Sequence, residues 1–270
     1  MTPRKRTVLF ATLRMSLVYV LLCAATPALA RWLTFPAPRR AEIMPAAATL
    51  TEAHARDGAV AHALRFDAPN APLTVVFFHG SGELASDEGG LAQALVTHGF
   101  AALFAEYRGY GVSRDAGATT EAGVYADAEA VLASAGVPRD RIVLYGYSLG
   151  TGVAMEMAAR GWGRAMVLVA PYTSIPDVAA RELPIVPMHW LVRAELDSRA
   201  KAPRIRIPVF VAHGDADRVV PFDRGETIAR ELPHGRLVTV PGGGHTDLFR
   251  RDPRLMQKVL DFLTEMTPPR

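Results

Sequence analysis

From position 74 onward the chain alternates between two patterns. Short, almost wholly apolar runs (Thr74–Phe78, Ala101–Ala105, Ile142–Tyr145, Ala165–Val169, Val209–Ala212 and Leu237–Val240) each end in polar or glycine-rich residues. Between them lie stretches of helical period: Leu91–Thr97, Glu121–Ala135, Leu149–Arg160, Asp223–Leu232 and, last, Arg254–Met266. A strand covered on both faces by helices has no solvent face, so it reads as a continuous apolar run rather than an alternating one. The rhythm therefore predicts an α/β fold, a doubly wound and mostly parallel sheet. Ahead of it, Asp57-Gly58 between two mixed segments signals a hairpin and an antiparallel start to that sheet. In such sheets ligands bind outside the carboxyl ends of the strands, so the residues that follow each run carry the functional information.

The rhythm breaks between Pro171 and Arg206, a longer interval than an ordinary connection. Pro176, Pro184, Pro187 and Pro203 cut this interval into short pieces, and Ile175, Leu183, Ile185, Val186, Met188, Trp190, Leu191 and Val192 make it apolar. It is expected to form a small cap, about 172–206, over the strand ends. Most of its apolar side chains are expected to pack on the sheet's helices, and a few to line an acyl pocket.

The amino terminus follows a different logic. Arg4-Lys5-Arg6 precedes the apolar stretch Ser16–Ala25, which ends at Thr26-Pro27-Ala28-Leu29-Ala30. A basic start, a short apolar core and a small-x-small site are the layout of a secretory signal. The apolar run could also continue through Trp32, Leu33 and Phe35 as a retained anchor, and both readings stand. Either one puts the rest of the chain outside the cytoplasm, anchored or, if cleaved after Ala30, secreted or periplasmic. Residues 31–48, rich in Pro and Ala, read as a linker, and 49–270 as one folded domain.

Charge and cysteine usage narrow the chemistry. Seven of the 30 basic residues lie within positions 1–40, where there is no acid, so the other 23 are outnumbered by the 27 acidic residues. A folded part that is net acidic does not suit nucleic acid as a partner. The single cysteine, Cys23, excludes an intramolecular disulfide and a thiolate-rich metal site.

Three strand ends carry candidate chemistry. After Ile142–Tyr145 comes Gly146-Tyr147-Ser148-Leu149-Gly150, then a helical run. A serine on so tight a strand-to-helix turn is pushed outward, and the helix amino terminus supplies amides for a developing negative charge. After Val209–Ala212 comes His213-Gly214-Asp215-Ala216-Asp217, and after Leu237–Val240 comes Pro241-Gly242-Gly243-Gly244-His245. A serine needs a base, and the base needs an acid that fixes its tautomer. His245 is the base by its position in the last glycine-rich loop. Asp217 is preferred as the acid, with Asp215 as a turn-capping competitor that spacing separates only weakly. After Thr74–Phe78 comes His79-Gly80-Ser81-Gly82-Glu83, whose Ser81 amide would join that of Leu149 in an oxyanion hole. His79 and His213, each ending a strand before a glycine, read as loop-orienting residues.

The same loop offers a rival. Gly80-Ser81-Gly82-Glu83-Leu84-Ala85 fits a dinucleotide fingerprint, with Glu106 about twenty residues on, as in a nucleotide-dependent oxidoreductase. Against it, Gly89-Gly90 would interrupt the required helix within two turns, and the Ser148, Asp217 and His245 placements go unexplained.

Together these pieces resemble the α/β-hydrolase superfamily, and within it the abhydrolase-domain branch of small serine hydrolases, many with one N-terminal membrane segment. The resemblance runs from about Arg31 to the end. It includes Trp32-Leu33-Thr34-Phe35-Pro36, Phe78-His79-Gly80, Tyr107-Arg108-Gly109-Tyr110-Gly111, Gly146–Gly150, Pro171-Tyr172-Thr173-Ser174, Asp197-Ser198-Arg199-Ala200-Lys201, His213–Pro221 and Gly242–His245. It implies Ser148 as nucleophile, Asp217 as acid and His245 as base, with an acyl-enzyme, no cofactor and no metal. It also implies a small-molecule acyl substrate and favours a membrane anchor. Ser81-Gly82-Glu83 departs from the asparagine–alanine type of sequence usual in that branch, which leaves the oxyanion donor open. A hydrolase-fold protein that binds without catalysis is the remaining alternative.

Overall fold

A computed structural model describes residues 34–182 and 196–268 of the chain. Eight strands form one sheet: β1 (Thr49–His54), β2 (Val60–Phe66), β3 (Thr74–Phe78), β4 (Ala101–Glu106), β5 (Ile142–Tyr147), β6 (Ala165–Val169), β7 (Val209–Gly214) and β8 (Gly235–Val240). Their order is β1-β2-β4-β3-β5-β6-β7-β8. β1 pairs with β2, and β2 with β4, antiparallel; every pair from β4·β3 onward is parallel. The hairpin expected at Asp57-Gly58 joins β1 and β2. Gly58 takes φ +87°, and the Asp57 carboxylate accepts the Ala59 N–H at 3.3 Å.

The helices are α1 (Gly89–Thr97), α2 (Glu121–Ser134), α3 (Leu149–Ala159), α4 (Ile175–Glu182), α5 (Ser198–Lys201), α6 (Phe222–Glu231), α7 (Leu248–Arg251) and α8 (Leu255–Glu265). They cover both faces of the sheet, and the strands divide their side chains between them with period two. Val76, Phe78 and Leu144 face the layer of α2, α3 and α6, where Val124, Val153 and Ile228 meet them. Val75, Phe77, Val143 and Tyr145 face the layer of α1 and α8, with Leu95, Val259 and Phe262. At roughly 25 cal/mol per Å² of buried apolar surface, these two layers are the main favourable contribution to folding.

From β3 the chain crosses to β4 on one side and returns to β5 on the other, so the carboxyl ends of β3 and β5 bound the switch point of the sheet. That is where ligands bind in open α/β sheets. The Gly80 loop follows β3 and Ser148 follows β5.

Residues 35–47, read as a linker, contain no helix or strand but are tied to the domain. Phe35 is buried in the core, the Glu42 carboxylate accepts the Val112 N–H at 2.7 Å, and Arg40 pairs with Asp87. The two ends of the expected cap meet through a hydrogen bond from Arg199 N–H to the Thr173 carbonyl (3.0 Å). Its return arm is held by Lys201 Nζ, 2.8 Å from Glu156 and 2.9 Å from the Tyr125 hydroxyl. Most of the apolar cap residues, from Leu183 through Val192, lie outside the described residues, as do the signal or anchor at 1–30 and Cys23. Among the described residues no helix is long and apolar enough to cross a membrane.

Candidate active site

Ser148 joins β5 to α3 with φ +48° and ψ −116°, a left-handed backbone unusual for a residue with a side chain. Its flanking glycines allow this. A Cβ at Gly150 would overlap the Phe78 carbonyl oxygen, and one at Gly146 would press on the first turn of α3. Strand, turn and helix therefore approach more closely than any larger residue permits. Ser148 N–H donates to the Val169 carbonyl (2.9 Å), and its own carbonyl accepts the Thr151 hydroxyl (2.6 Å) and amide (2.9 Å). The hydroxyl is left at the head of α3, where the amide of Leu149 has no carbonyl one turn earlier to bond.

His245 Nε2 lies 2.8 Å from Ser148 Oγ, and its Nδ1 lies 2.8 Å from Asp217 Oδ2. A carboxylate on Nδ1 fixes the tautomer with its proton there and leaves Nε2 facing the hydroxyl as acceptor. The loops after β7 and β8 touch to make this possible. The Gly243 carbonyl accepts the Ala216 N–H at 3.0 Å, and a Cβ at Gly214 would overlap that carbonyl. The two aspartates between which the choice was left open differ in what they touch. Asp215 turns to the Gly242 N–H (2.6 Å) on the rim, whereas Asp217 reaches the imidazole.

Asp217 is held by more than His245. Its Oδ1 accepts the Val219 and Val220 N–H groups at 2.8 and 2.9 Å, and buried His213 Nε2 stands 3.3 Å from Oδ2. Burial opposes the charge, but the hydrogen bonds from His213, His245 and Val220 outweigh it and hold the carboxyl well below the usual carboxylate range. His213, read from the sequence as loop-orienting, thus also touches the Asp217 carboxylate. Helix α6 packs on its ring through Gly225, where any Cβ would collide with Nδ1.

The loop after β3 lies against the same turn. A Cβ at Gly80 would come 3.2 Å from the Tyr147 ring, and Ser81 next to it is exposed. Fully buried His79 anchors this loop. Its Nδ1 is 2.8 Å from the Gly80 carbonyl, its Nε2 is 3.0 Å from Glu106 Oε1, and the Tyr107 hydroxyl donates to its carbonyl at 2.8 Å. Burial disfavours a charged ring, but Glu106 and the Gly80 carbonyl offset this and raise its pKa. The Tyr107–Gly111 segment is structural in the same sense, since Arg108 forks onto Asp127 at 2.8 and 2.7 Å.

This arrangement departs from a dinucleotide site. Glu106 is 1% exposed and turned inward to His79 and the Ala85 N–H (3.1 Å), so it cannot meet a ribose. Helix α1 starts only at Gly89, after a separate short turn at Ala85–Glu88. Among the described residues no group of three or more His, Cys, Asp or Glu is placed to hold a metal ion.

Sequence reasoning missed two features. The Glu42 carboxyl lies against Glu106 behind the β3 loop, and its place in a proline-rich stretch gave no signal. Glu83, Glu88 and Tyr145 border a common cavity beside His245; only Glu83, in the β3 loop, hinted at it.

Known proteins resemble this chain along most of the described length. The family model described as serine aminopeptidase S33 matches residues 69–196, and that described as TAP-like protein matches 186–270. The alpha/beta hydrolase domain-containing protein aho-3 of Caenorhabditis elegans is 35% identical over 189 residues, 67% of this chain and 54% of that protein. Human alpha/beta hydrolase domain-containing protein 17B is 31% identical over 189 residues, 67% of this chain and 62% of that protein. The chain thus spans between about half and two thirds of the length of these curated relatives. A solved esterase of Pyrococcus furiosus superposes with a TM-score of 0.72 at 19% identity, covering 86% of this chain and 99% of the esterase. At that identity the likeness is one of fold.

Proposed function

We propose, from the premise that this chain belongs to the α/β-hydrolase superfamily, that it is a serine hydrolase acting through an acyl-enzyme on carboxylic esters or thioesters of hydrophobic acyl groups. What supports this reading above all is the hydrogen-bonded row of Ser148 Oγ, His245 Nε2, His245 Nδ1 and Asp217 Oδ2, with 2.8 Å at each of its two contacts.

In the proposed reaction His245 Nε2 accepts the Ser148 proton as Oγ attacks the acyl carbonyl, and Asp217 stabilises the imidazolium so formed without itself taking the proton. The oxyanion is met by the Leu149 amide and by the Ser81 amide, each worth about 3 kcal/mol in a site of this kind. His245 then protonates the leaving oxygen or sulfur, and the carbonyl–leaving-group bond breaks. A water molecule, deprotonated by the same Nε2, releases the acid. The apolar composition of 172–206 favours a hydrophobic acyl group there. The 1–30 segment is proposed to deliver the domain across a membrane, as a cleaved signal or a retained anchor.

Labelling by a fluorophosphonate probe tests the nucleophile. The wild-type protein should label and Ser148→Ala should not, with hydrolysis of p-nitrophenyl octanoate falling by up to roughly a millionfold. Full activity in Ser148→Ala overturns the reading, and a preference for acetyl over octanoyl esters overturns the hydrophobic acyl site.

A further inference from the structure

Beside His245, on the face of the sheet covered by α1 and α8, lies a cavity of about 290 Å³. Phe77, Tyr145, Tyr147 and Phe249 supply aromatic wall, Glu83 and Glu88 supply carboxyls, and among the described residues no lysine or arginine lines it. Glu83 Oε2 accepts the Gly80 N–H at 2.9 Å. The Glu88 carboxyl makes no hydrogen bond or ion pair to any described residue. Burial first, then the charges of Glu83 and Asp87, push it up to about 7, while His79 acts weakly in the other direction. Burial raises Glu83 as well. The two acids thus lie in a half-desolvated space where the only opposing charged groups acting on them among the described residues are the imidazoles of His79 and His245.

A second observation, independent of the acids, points to a ligand. Tyr145 forms part of the wall, is 1% exposed, and its hydroxyl has no hydrogen-bond partner among the described residues. A buried hydroxyl left without a partner is destabilising, so a guest that bonds to it recovers the lost free energy. Aromatic faces and carboxylates around one space attract an organic cation, the faces through their quadrupoles and the acids through their charge. An ammonium that keeps an N–H also has a proton to donate to the Tyr145 oxygen.

The position of the cavity says which part of a substrate would enter it. The base hands its proton to the leaving group, so the leaving group sits on the imidazole side of the nucleophile. The cavity is lined by His245 and Thr246 and not by Ser148 or Leu149. We propose that this cavity is the leaving-group subsite and that it selects substrates whose alcohol or thiol portion carries a protonated amine. The assignment rests on the serine-hydrolase reading. It adds no bond-making step: the departing oxygen or sulfur takes its proton from His245, and the ammonium keeps its own.

Two esters of one acid test it. 2-(Dimethylamino)ethyl butyrate and 3-methylbutyl butyrate have the same shape and differ only by a protonated nitrogen in place of a CH. At about pH 7.5, kcat/KM for each, divided by its uncatalysed rate, should favour the cationic ester by about tenfold or more, and Glu88→Gln should reduce that ratio to about threefold or less. A wild-type ratio near one, or a ratio that Glu88→Gln does not move, overturns the proposal. Calorimetry on Ser148→Ala supplies a readout free of turnover: 2-(dimethylamino)ethanol should bind at least about tenfold tighter than 3-methylbutan-1-ol. If Ser148→Ala binds the amino alcohol while the wild type fails to label with fluorophosphonate, the hydrolase reading falls and the cation site stands. If the wild type labels and hydrolyses both esters alike, and Ser148→Ala prefers neither alcohol, the cation site falls and the hydrolase stands.

Discussion

His213 and His245 converge on one oxygen: Asp217 Oδ2 is 2.8 Å from His245 Nδ1 and 3.3 Å from His213 Nε2. The His213 ring is wholly buried and also lies 2.9 Å from the Val220 carbonyl, so it fixes the loop that carries Asp217. Replacing His213 with Ala should lower kcat by roughly ten- to a hundredfold with little change in KM, because the acid's orientation is lost while substrate contacts remain. Steady-state kinetics on a p-nitrophenyl ester measures this. An equal rise in KM would place His213 in substrate binding instead.

The two aspartates of the same loop should behave differently. Asp217→Asn leaves the shape intact but invites the wrong imidazole tautomer, at a cost of about 10⁴ in kcat by analogy with other triads. Asp215→Asn, which alters only the contact to Gly242, should stay within about threefold of wild type. Comparable losses in both would remove Asp217 from its role.

Gly150→Ala tests the closeness of the turn. Its methyl group would overlap the Phe78 carbonyl oxygen, so the helix must move off the strand. A loss of about 3 kcal/mol or more, or failure to give soluble protein, is expected from thermal denaturation. A melting point within a degree or two of wild type contradicts the packing described.

Glu88 should make stability depend on pH in an unusual direction. Its carboxyl holds a proton up to about 7 in the folded protein, against a usual value of 4.5. Between those values the folded state binds more protons than the unfolded one, so this group's contribution falls as pH rises. Removing the charge with Glu88→Gln should therefore stabilise by about 1–3 kcal/mol at pH 8 and by little at pH 4.5, where the folded carboxyl is protonated and the unfolded one about half so. Melting curves at the two pH values decide it; equal shifts at both exclude the titration as cause.

Glu106→Gln removes the charge beside His79 while keeping its size. The loop that carries Ser81 should then hold its amide less firmly, lowering kcat by up to about a hundredfold, the order of one weakened oxyanion donor. Wild-type turnover in this variant would leave the loop's order to Tyr107 and the Gly80 carbonyl.

Much of this molecule could be read from residue order. Five of the six apolar runs became buried parallel strands because helices on both faces leave little room for polar side chains; Thr74–Phe78 and Ala165–Val169 match the strands residue for residue, while β8, at the sheet edge, stays partly exposed. Gly146 and Gly150 marked the tight turn at Ser148 because only the absence of a side chain permits that approach. Glycine-rich ends after β7 and β8 marked His245 and a short list of acids. These are local signals, set by neighbours along the chain.

What folding alone decided are relations between groups far apart in sequence. Asp217 rather than Asp215 meets the imidazole because the Gly214 and Gly243 backbones touch, and spacing along one strand end carries no record of the loop opposite. Glu106 serves His79 rather than a nucleotide because β4 lies beside β3, turning an acid that looked available into a buried partner. Glu83, Glu88 and Tyr145 share a cavity only once the turn after β3 folds down over the end of β5. Hydrophobic period fixes which face of an element is buried; which polar groups then meet depends on sheet order and loop contact, and those exist only in three dimensions.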